Sequence, residues 1–380
     1  MPTALYGGNT AIGAVGRPQP QTTQETSAGP FIRHARPASR PGYSTSVSYG
    51  GQVTQPLVSA PGYLQKLHLT FSQVAGTTTT AAAQADGPYN VASFVNFKDP
   101  WGTPVFSGPG YELLYLVPKY SGQWGLVTQN EISALPSWSA VAASTGAYTF
   151  HTVLPLEAAK GYCVMSIGNA SVLPTLALNF NAAATVMSGT LTSLGTLTLT
   201  VDEDYYDVDP AAPVEPPGLG STVQWTVIQG NQTITSAAFG RVQLPRTGGY
   251  LTTLIIEIRD ANNARVDAAL TGLGRCRLYI DGVPYRDESW VEIEDRMAIE
   301  FGNLTTRPAG VMAYTFKTSL SQVSLGLADS LETVLLTNPG TLLEIEGNPW
   351  GTISSGPGTL YAIIGQLVPV GPIEQGLPEV

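Results

Sequence analysis

Charge is scarce in this chain. Asp, Glu, Lys and Arg make up 12% of its 380 residues, about half the usual share for a globular protein. Thr, Ser, Gln and Asn can supply a polar surface instead. A protein that covers much of its exterior with copies of itself also manages with little charge, because interface cores are depleted in it. Histidine is scarcer still, limited to His34, His68 and His151. None of the three sits in an H-x-H or H-E-x-x-H pattern, which excludes a zincin and a two-barrel cupin metal site; His151 reads as a strand surface position. There is no G-x-S-x-G, no phosphate-binding loop and no dinucleotide fingerprint, so no cofactor is implied. The two cysteines, Cys163 and Cys276, cannot frame a disulfide scaffold of this size; each is expected to be a small buried apolar residue, with a bridge between them as the lesser alternative. No apolar run approaches the roughly 20 residues that cross a bilayer. The N-terminus lacks the charged start and apolar core of a secretory signal, so export by the ordinary route is not expected. Basic character is confined to residues 1–40, with four Arg against one acid, while the whole chain carries −10. A nucleic-acid binder would need a positive stripe on its folded surface, and specific nucleic-acid binding is not expected.

What the chain does have is a repeat. Gly62-Tyr63-Leu64-Gln65-Lys66-Leu67 returns as Gly249-Tyr250-Leu251-Thr252-Thr253-Leu254, Tyr148-Thr149-Phe150 as Tyr314-Thr315-Phe316, and Gly195-Thr196-Leu197 as Gly358-Thr359-Leu360. The three pairs keep their order, at separations of 187, 166 and 163 positions. The chain is therefore read as a tandem duplication with 21 extra residues in the first copy, placed between 120 and 146 around Trp124 and Trp138. The length also suits two domains.

The expected organisation is a flexible N-terminal arm over 1–48, a first domain over 49–201, a linker over 202–220, a second domain over 221–370 and a tail over 371–380. The arm is rich in Gly, Pro, Gln, Thr and Ser and has no apolar periodicity. Short segments rich in Val, Leu, Thr, Tyr and Phe follow, separated by Gly, Pro and Asn, which is the pattern of strands. In the first copy they fall at 63–72, 89–98, 103–107, 111–118, 147–153, 162–167, 172–180 and 190–201. Eight strands are the complement of a jelly roll. In the second copy, 223–228 and 233–237 flank Gln229-Gly230-Asn231-Gln232 as a hairpin, followed by strands at 250–259, 275–281, 290–301, 311–318, 333–337, 341–346 and 359–368. Trp290-Val291-Glu292-Ile293-Glu294 alternates like a strand with one wet face, and helical turns are expected only at Leu156–Lys160 and around Leu320–Ser330. Glu292, Glu294 and Asp295 could pair for acid and base work, but three acids on such a strand read as a solvated face. The six acids of 202–220 raise a calcium reading, with Asp202, Asp204, Asp207 and Asp209 as candidate ligands. The segment lacks the glycine and terminal Glu of an EF-hand loop and is read as a solvated, proline-stiffened connector.

In size, duplication and missing chemistry the chain resembles the double jelly-roll major capsid proteins of tailless icosahedral viruses, most nearly the tectivirus-like phages with an internal membrane. The likeness is carried by the Pro61-Gly62-Tyr63-Leu64 and Gly248-Gly249-Tyr250-Leu251 openings, the Asp99-Pro100-Trp101-Gly102-Thr103-Pro104 turn, the paired Tyr-Thr-Phe segments, the acidic linker and the N-terminal arm. It implies an all-β fold of two tandem eight-stranded barrels and a homotrimer that forms a pseudo-hexameric tile of a virion shell assembled in the host cytoplasm. Neighbouring trimers, vertex and minor capsid proteins and internal membrane lipids would be its partners. The arm would then lie on the inner face, with Arg17, Arg33, Arg36 and Arg40 touching anionic head groups or neighbouring subunits. Two other readings are weighed beside this one. A two-domain jelly-roll hydrolase of the peptide N-glycanase type would place a buried carboxylate cluster between the copies. An adhesin or carbohydrate-binding tandem sandwich would show a row of exposed aromatics, for which Trp124 and Trp138 are the candidates.

Overall fold

The structure, a computed structural model, describes residues 31, 34–59, 62–77, 80–121, 141–157, 163–190, 193–209, 214–216, 221–244, 249–301, 307–316, 335–337 and 341–369. Sixteen strands carry the architecture. The first eight are β1 (Arg36–Val47), β2 (Gln52–Pro56), β3 (Gly62–Gln73), β4 (Ala92–Lys98), β5 (Pro104–Gly108), β6 (Tyr148–Pro155), β7 (Thr175–Phe180) and β8 (Leu197–Asp207). The second eight are β9 (Ser221–Ile234), β10 (Gly240–Gln243), β11 (Gly249–Arg259), β12 (Cys276–Ile280), β13 (Val283–Glu288), β14 (Val311–Thr315), β15 (Leu343–Gly347) and β16 (Gly358–Pro369).

Their pairing repeats. In the first copy the sheets run β1-β8-β3-β6 and β2-β7-β4-β5; in the second they run β9-β16-β11-β14 and β10-β15-β12-β13. Each strand thus corresponds to the one eight places later, and each copy is a jelly roll of two facing four-strand sheets. Met165–Ser166 adds a short strand beside β3, and Leu335–Thr337 adds one beside β11. The three sequence repeats fall on neighbouring strands, β3 and β11, β6 and β14, β8 and β16. Their registers are not the same. Tyr148 pairs with Gln73, ten residues on from Tyr63, while Tyr314 pairs with Leu254, four on from Tyr250. The six-residue difference is even, so both tyrosines still face the core.

The copies are joined edge to edge. β5 of the first pairs in parallel with β9 of the second, Phe106 opposite Trp225 and Ser107 opposite Thr226. One sheet of each barrel therefore merges into a single nine-stranded sheet. A continuous apolar core, including Phe106 and Trp225, runs through both. Both cysteines are free and buried.

The strand boundaries depart from expectation where charge interrupts an apolar pattern. The arm expected over 1–48 contributes the first strand of the first barrel, because Arg36–Val47 pairs along its length with β8. β8 in turn continues through Asp207, six residues into the expected linker. Its inward alternation of Leu197, Leu199 and Val201 is carried on by Glu203, which has 0% exposure. The predicted hairpin at Gln229–Gln232 is a register shift inside the single strand β9. Leu113, Leu114 and Leu116 of the expected strand 111–118 lie in a helical segment, Glu112–Leu116 continuing into Val117–Tyr120. The expected strand 290–301 is the helix Trp290–Glu300, which buries Trp290, Ile293, Met297 and Glu300 at helical spacing. Its start is fixed by a reciprocal pair: Ser289 Oγ accepts from the Glu292 N–H and Glu292 Oε2 accepts from the Ser289 N–H. Glu292 is thus a cap, and with Glu294 and Asp295 it lies on the exposed face of that helix. Leu156 and Glu157 are not helical, and the rest of that expected turn, the one at 320–330 and residues 122–140 of the insertion expected between 120 and 146 lie outside the described residues.

Candidate functional site

The densest charge cluster sits at the seam between the barrels. The first copy supplies Asp86 and Glu112, and the second supplies Glu257 and Arg259 from β11 and Arg265 from the turn after it. Arg259 Nη1 donates to Asp86 Oδ2 at 2.7 Å, and Nη2 lies 3.3 Å from Glu112 Oε1 and 2.9 Å from Glu257 Oε1. Arg265 Nε donates to Asp86 Oδ1 at 2.8 Å, and its guanidinium lies 4.7 Å from the centroid of the Tyr111 ring. Arg265 also donates to the carbonyls of Ala85 and Ala309, one on each barrel. Glu112 and Glu257 share one Arg nitrogen, and Glu112 Oε2 and Glu257 Oε2 are buried with no hydrogen-bond donor among the described residues. Burial first, and then the charge of Glu112, push the Glu257 carboxyl well above the usual carboxylate range, and a side-chain hydrogen bond between the two acids adds to the rise. Tyr120 and Phe301 close the same seam with an edge-on ring contact at 5.1 Å.

A second charge pair fixes the N-terminal strand. Arg40 on β1 reaches Glu203 on β8, with Nη2 at 2.5 Å and Nε at 3.0 Å from Oε2. Its guanidinium also donates to the carbonyls of Val58 and Ser59. The Val58 N–H completes the site by donating to Glu203 Oε1 at 3.1 Å. Just upstream, Phe31 is buried against Tyr63 and Tyr206, in a small apolar cluster with Ala35, Val164 and Val208.

On the outer face of the β1-β8-β3-β6 sheet, a polar chain crosses three strands. Asp204 Oδ2 accepts from His68 Nε2 at 2.9 Å, His68 Nδ1 lies 3.0 Å from His151 Nε2, and His151 Nδ1 lies 3.1 Å from Thr70 Oγ1. With both rings neutral every link has one donor: Thr70 to His151, His151 to His68, His68 to Asp204. One added proton, at His151 Nδ1, is accommodated by reversing the link to Thr70. A second would set two N–H groups against each other. Burial, then the neighbouring His68 and Lys66, accordingly lower His151 to about 4. Asp204 is held below the usual carboxylate range, since burial is outweighed by bonds from His68 and Ser39 and by the charges of His68 and Lys66. The sign for His151 follows from its depressed value: its contribution to stability is present above the unfolded value near 6.5 and is lost as pH falls through about 4. At about 1.4 kcal/mol per pH unit, discounted because the ring is partly solvated, the loss is roughly 1–2 kcal/mol. Urea unfolding at pH 7 and pH 4 measures it, and His151→Gln is expected to shrink the difference between the two pH values by that amount.

The predicted site residues are placed as follows. Arg17 and Arg33 lie outside the described residues, Arg36 is exposed at the start of β1, and Arg40 is engaged within the chain. Asp202, Asp204 and Asp207 are strand residues of β8, not a connector loop, and Asp209 is exposed just beyond it. Among the described residues no group of three or more His, Cys, Asp or Glu can hold a metal ion, and no helix is long and apolar enough to cross a membrane. Trp124 and Trp138 lie outside the described residues. The seam cluster was not predicted. Its signal is Glu257-Ile258-Arg259, two charges sharing one face at the end of the apolar run Leu254–Ile256.

No protein-family model and no curated protein matches the sequence. Solved structures do. The MCP of STIV, Sulfolobus Turreted Icosahedral Virus, aligns over 91% of this chain and 100% of its own at a TM-score of 0.63 and 13% identity. The PBCV-1 virus capsid chain aligns over 88% and 93% at 0.60 and 11% identity. The major capsid protein of bacteriophage PM2 aligns over 89% and 99% at 0.53 and 9% identity. The fold is that of the double jelly-roll capsid proteins, matched along nearly the whole of each chain.

Proposed function

We propose that this chain is a major capsid protein, a structural component of a virion shell whose homotrimer forms a pseudo-hexagonal tile over an internal membrane. The observation that carries this reading is the pair of barrels with identical strand order, locked side by side through β5 and β9, in a chain that matches solved capsid proteins end to end. Three such chains present six similar wedges, which can close into a ring. The net charge of −10, with net positive charge confined to residues 1–40, suits an arm directed at anionic lipid or at neighbouring subunits, through Arg17, Arg33 and Arg36. Arg40 is withdrawn from that set because its guanidinium is spent on Glu203.

A hydrolase of the peptide N-glycanase type would need a carboxylate cluster between the barrels, and the seam has one. The burial and pairing of its acids support a structural reading: Glu257 is 0% exposed, Glu112 is 4% exposed, and Arg259 bridges them to Asp86. The cluster holds the barrels together instead.

Light scattering on the purified full-length protein tests the proposal. A particle of three chain masses that persists on dilution at moderate and high salt is expected, with hexagonal outlines in electron micrographs. A monomer at every concentration would overturn it.

A further inference from the structure

The seam inside the chain also specifies a contact between chains. Within one chain, β5 is covered by β9. Its counterpart in the second barrel, β13, is the outer strand of its sheet, and the counterpart of β9, β1, is the outer strand of the first-barrel sheet. The correspondence of β5 with β13 rests on backbone conformation as well as on order. The turn before each contains a left-handed glycine, Gly102 at φ 87° and Gly282 at φ 79°, a conformation that side-chain-bearing residues rarely adopt. Each glycine is followed two residues later by a proline, Pro104 and Pro284. Each hairpin also shifts register at the same step, between Phe97 and Lys98 and between Leu278 and Tyr279.

Exposure separates the covered edge from the open one. Val105 and Phe106 on β5 are 0% exposed, whereas Val283 and Tyr285 on β13 are 66% and 44% exposed. Likewise β9 buries Val223 and Trp225, and no residue of β1 is buried. An open strand edge carrying exposed apolar side chains is a template for another strand. Here both open edges belong to a pair whose internal copy is already formed.

We propose that β13 of one copy lies parallel to β1 of the next, repeating between chains the β5–β9 junction that joins the barrels within a chain. The inference rests on the assembly reading and adds the surface through which it occurs. The register carries over. Phe106 corresponds to Arg286 and Ser107 to Asp287; with Gly195-Thr196-Leu197 set on Gly358-Thr359-Leu360, Thr226 pairs with Ile364 as Tyr43 does with Val201, and Trp225 pairs with Gly365 as Pro41 does with Asp202. Asp287 of one copy therefore faces Tyr43 of the next, with Arg286 beside Pro41-Gly42. Pro37, Pro41 and Pro284 limit the ladder that either edge can offer. The internal junction is itself only two residue pairs long, so a short ladder is sufficient, and the prolines guard both edges against indiscriminate pairing. A contact that joins one edge to a different edge is head to tail and must close into a ring or run on as a filament; three chains close it.

The test replaces Tyr285 with p-benzoylphenylalanine, an aromatic of similar shape, in the full-length protein. After illumination, a covalent dimer band is expected, with the adduct mapped by mass spectrometry to residues 36–47 of another chain. In parallel, amide exchange should slow at 39–45 and 283–287 in the trimer relative to chains dissociated by urea below the unfolding transition. A wild-type trimer with neither the adduct nor the protection would overturn the edge pairing and leave the capsid reading standing. A wild-type monomer at all concentrations would overturn both, and adducts extending past three chains would overturn the closed ring.

Discussion

Arg259→Ala is expected to destabilise the folded chain by about 3–5 kcal/mol, the cost of removing one partner from a buried ion cluster. Its guanidinium is the only group that touches Asp86, Glu112 and Glu257 together among the described residues. Without it, three acids from two barrels converge on Arg265 alone. Chemical denaturation followed by tryptophan fluorescence gives the size of the loss, and a fall of under 1 kcal/mol would show that the seam is held by apolar contact instead. Glu257→Gln is the matched control. Because burial and the charge of Glu112 favour the protonated form of Glu257, glutamine resembles the favoured neutral state, and its cost should stay below about 1 kcal/mol, near that of one hydrogen bond. The pH dependence has the opposite sign to that of His151. The Glu257 carboxyl is raised, so its contribution is fully present below the unfolded value near 4.5 and is lost as pH rises through the folded value. Glu257→Gln should remove that decline.

Arg40→Ala should cost a similar amount, about 3–5 kcal/mol, by leaving Glu203 buried with the Val58 N–H as its remaining donor. Arg36→Ala, four residues earlier on the same strand but exposed, is expected to fall within about 0.5 kcal/mol of wild type. Thermal unfolding of the two variants separates them. Equal, small effects would mean that β1 is held by its ladder to β8 and not by the Arg40–Glu203 pair. The contrast also divides the arginines once grouped as surface contacts into one that fastens the strand and others available to a partner.

Much of this fold could be read from the sequence because a jelly roll repeats what sequence displays best, period-two alternation broken by turn residues. The duplication was visible in the G-Y-L and Y-T-F marks. Misreadings cluster where a charge occupies an inward position. Glu203 stopped the reading of β8 at Val201, although its partner Arg40 made it a core residue, and that partner lies 163 residues away. Trp290–Glu294 satisfies a period of two over five residues and a period of 3.6 over eleven, and only the Ser289–Glu292 capping pair separates them. The Gly102-x-Pro104 and Gly282-x-Pro284 turns form a further repeat mark, hidden because the matching property is a backbone angle and not a side chain. The seam cluster required knowing which edges meet, which no local pattern encodes.

The position of β1 also sets an order of events during synthesis. Its partner β8 begins at Leu197, so Arg36–Val47 leaves the ribosome roughly 10–30 s before the strand that will receive it, at about 5–20 residues per second. β9 by contrast begins only fourteen residues after β8 ends. The first barrel can close at almost the moment its outer strand β5 is offered a cover, whereas its earliest strand must wait through nearly the whole barrel. The two prolines of that strand therefore protect the nascent chain as well as the finished one, by denying a neighbouring polysome product a full ladder during the wait.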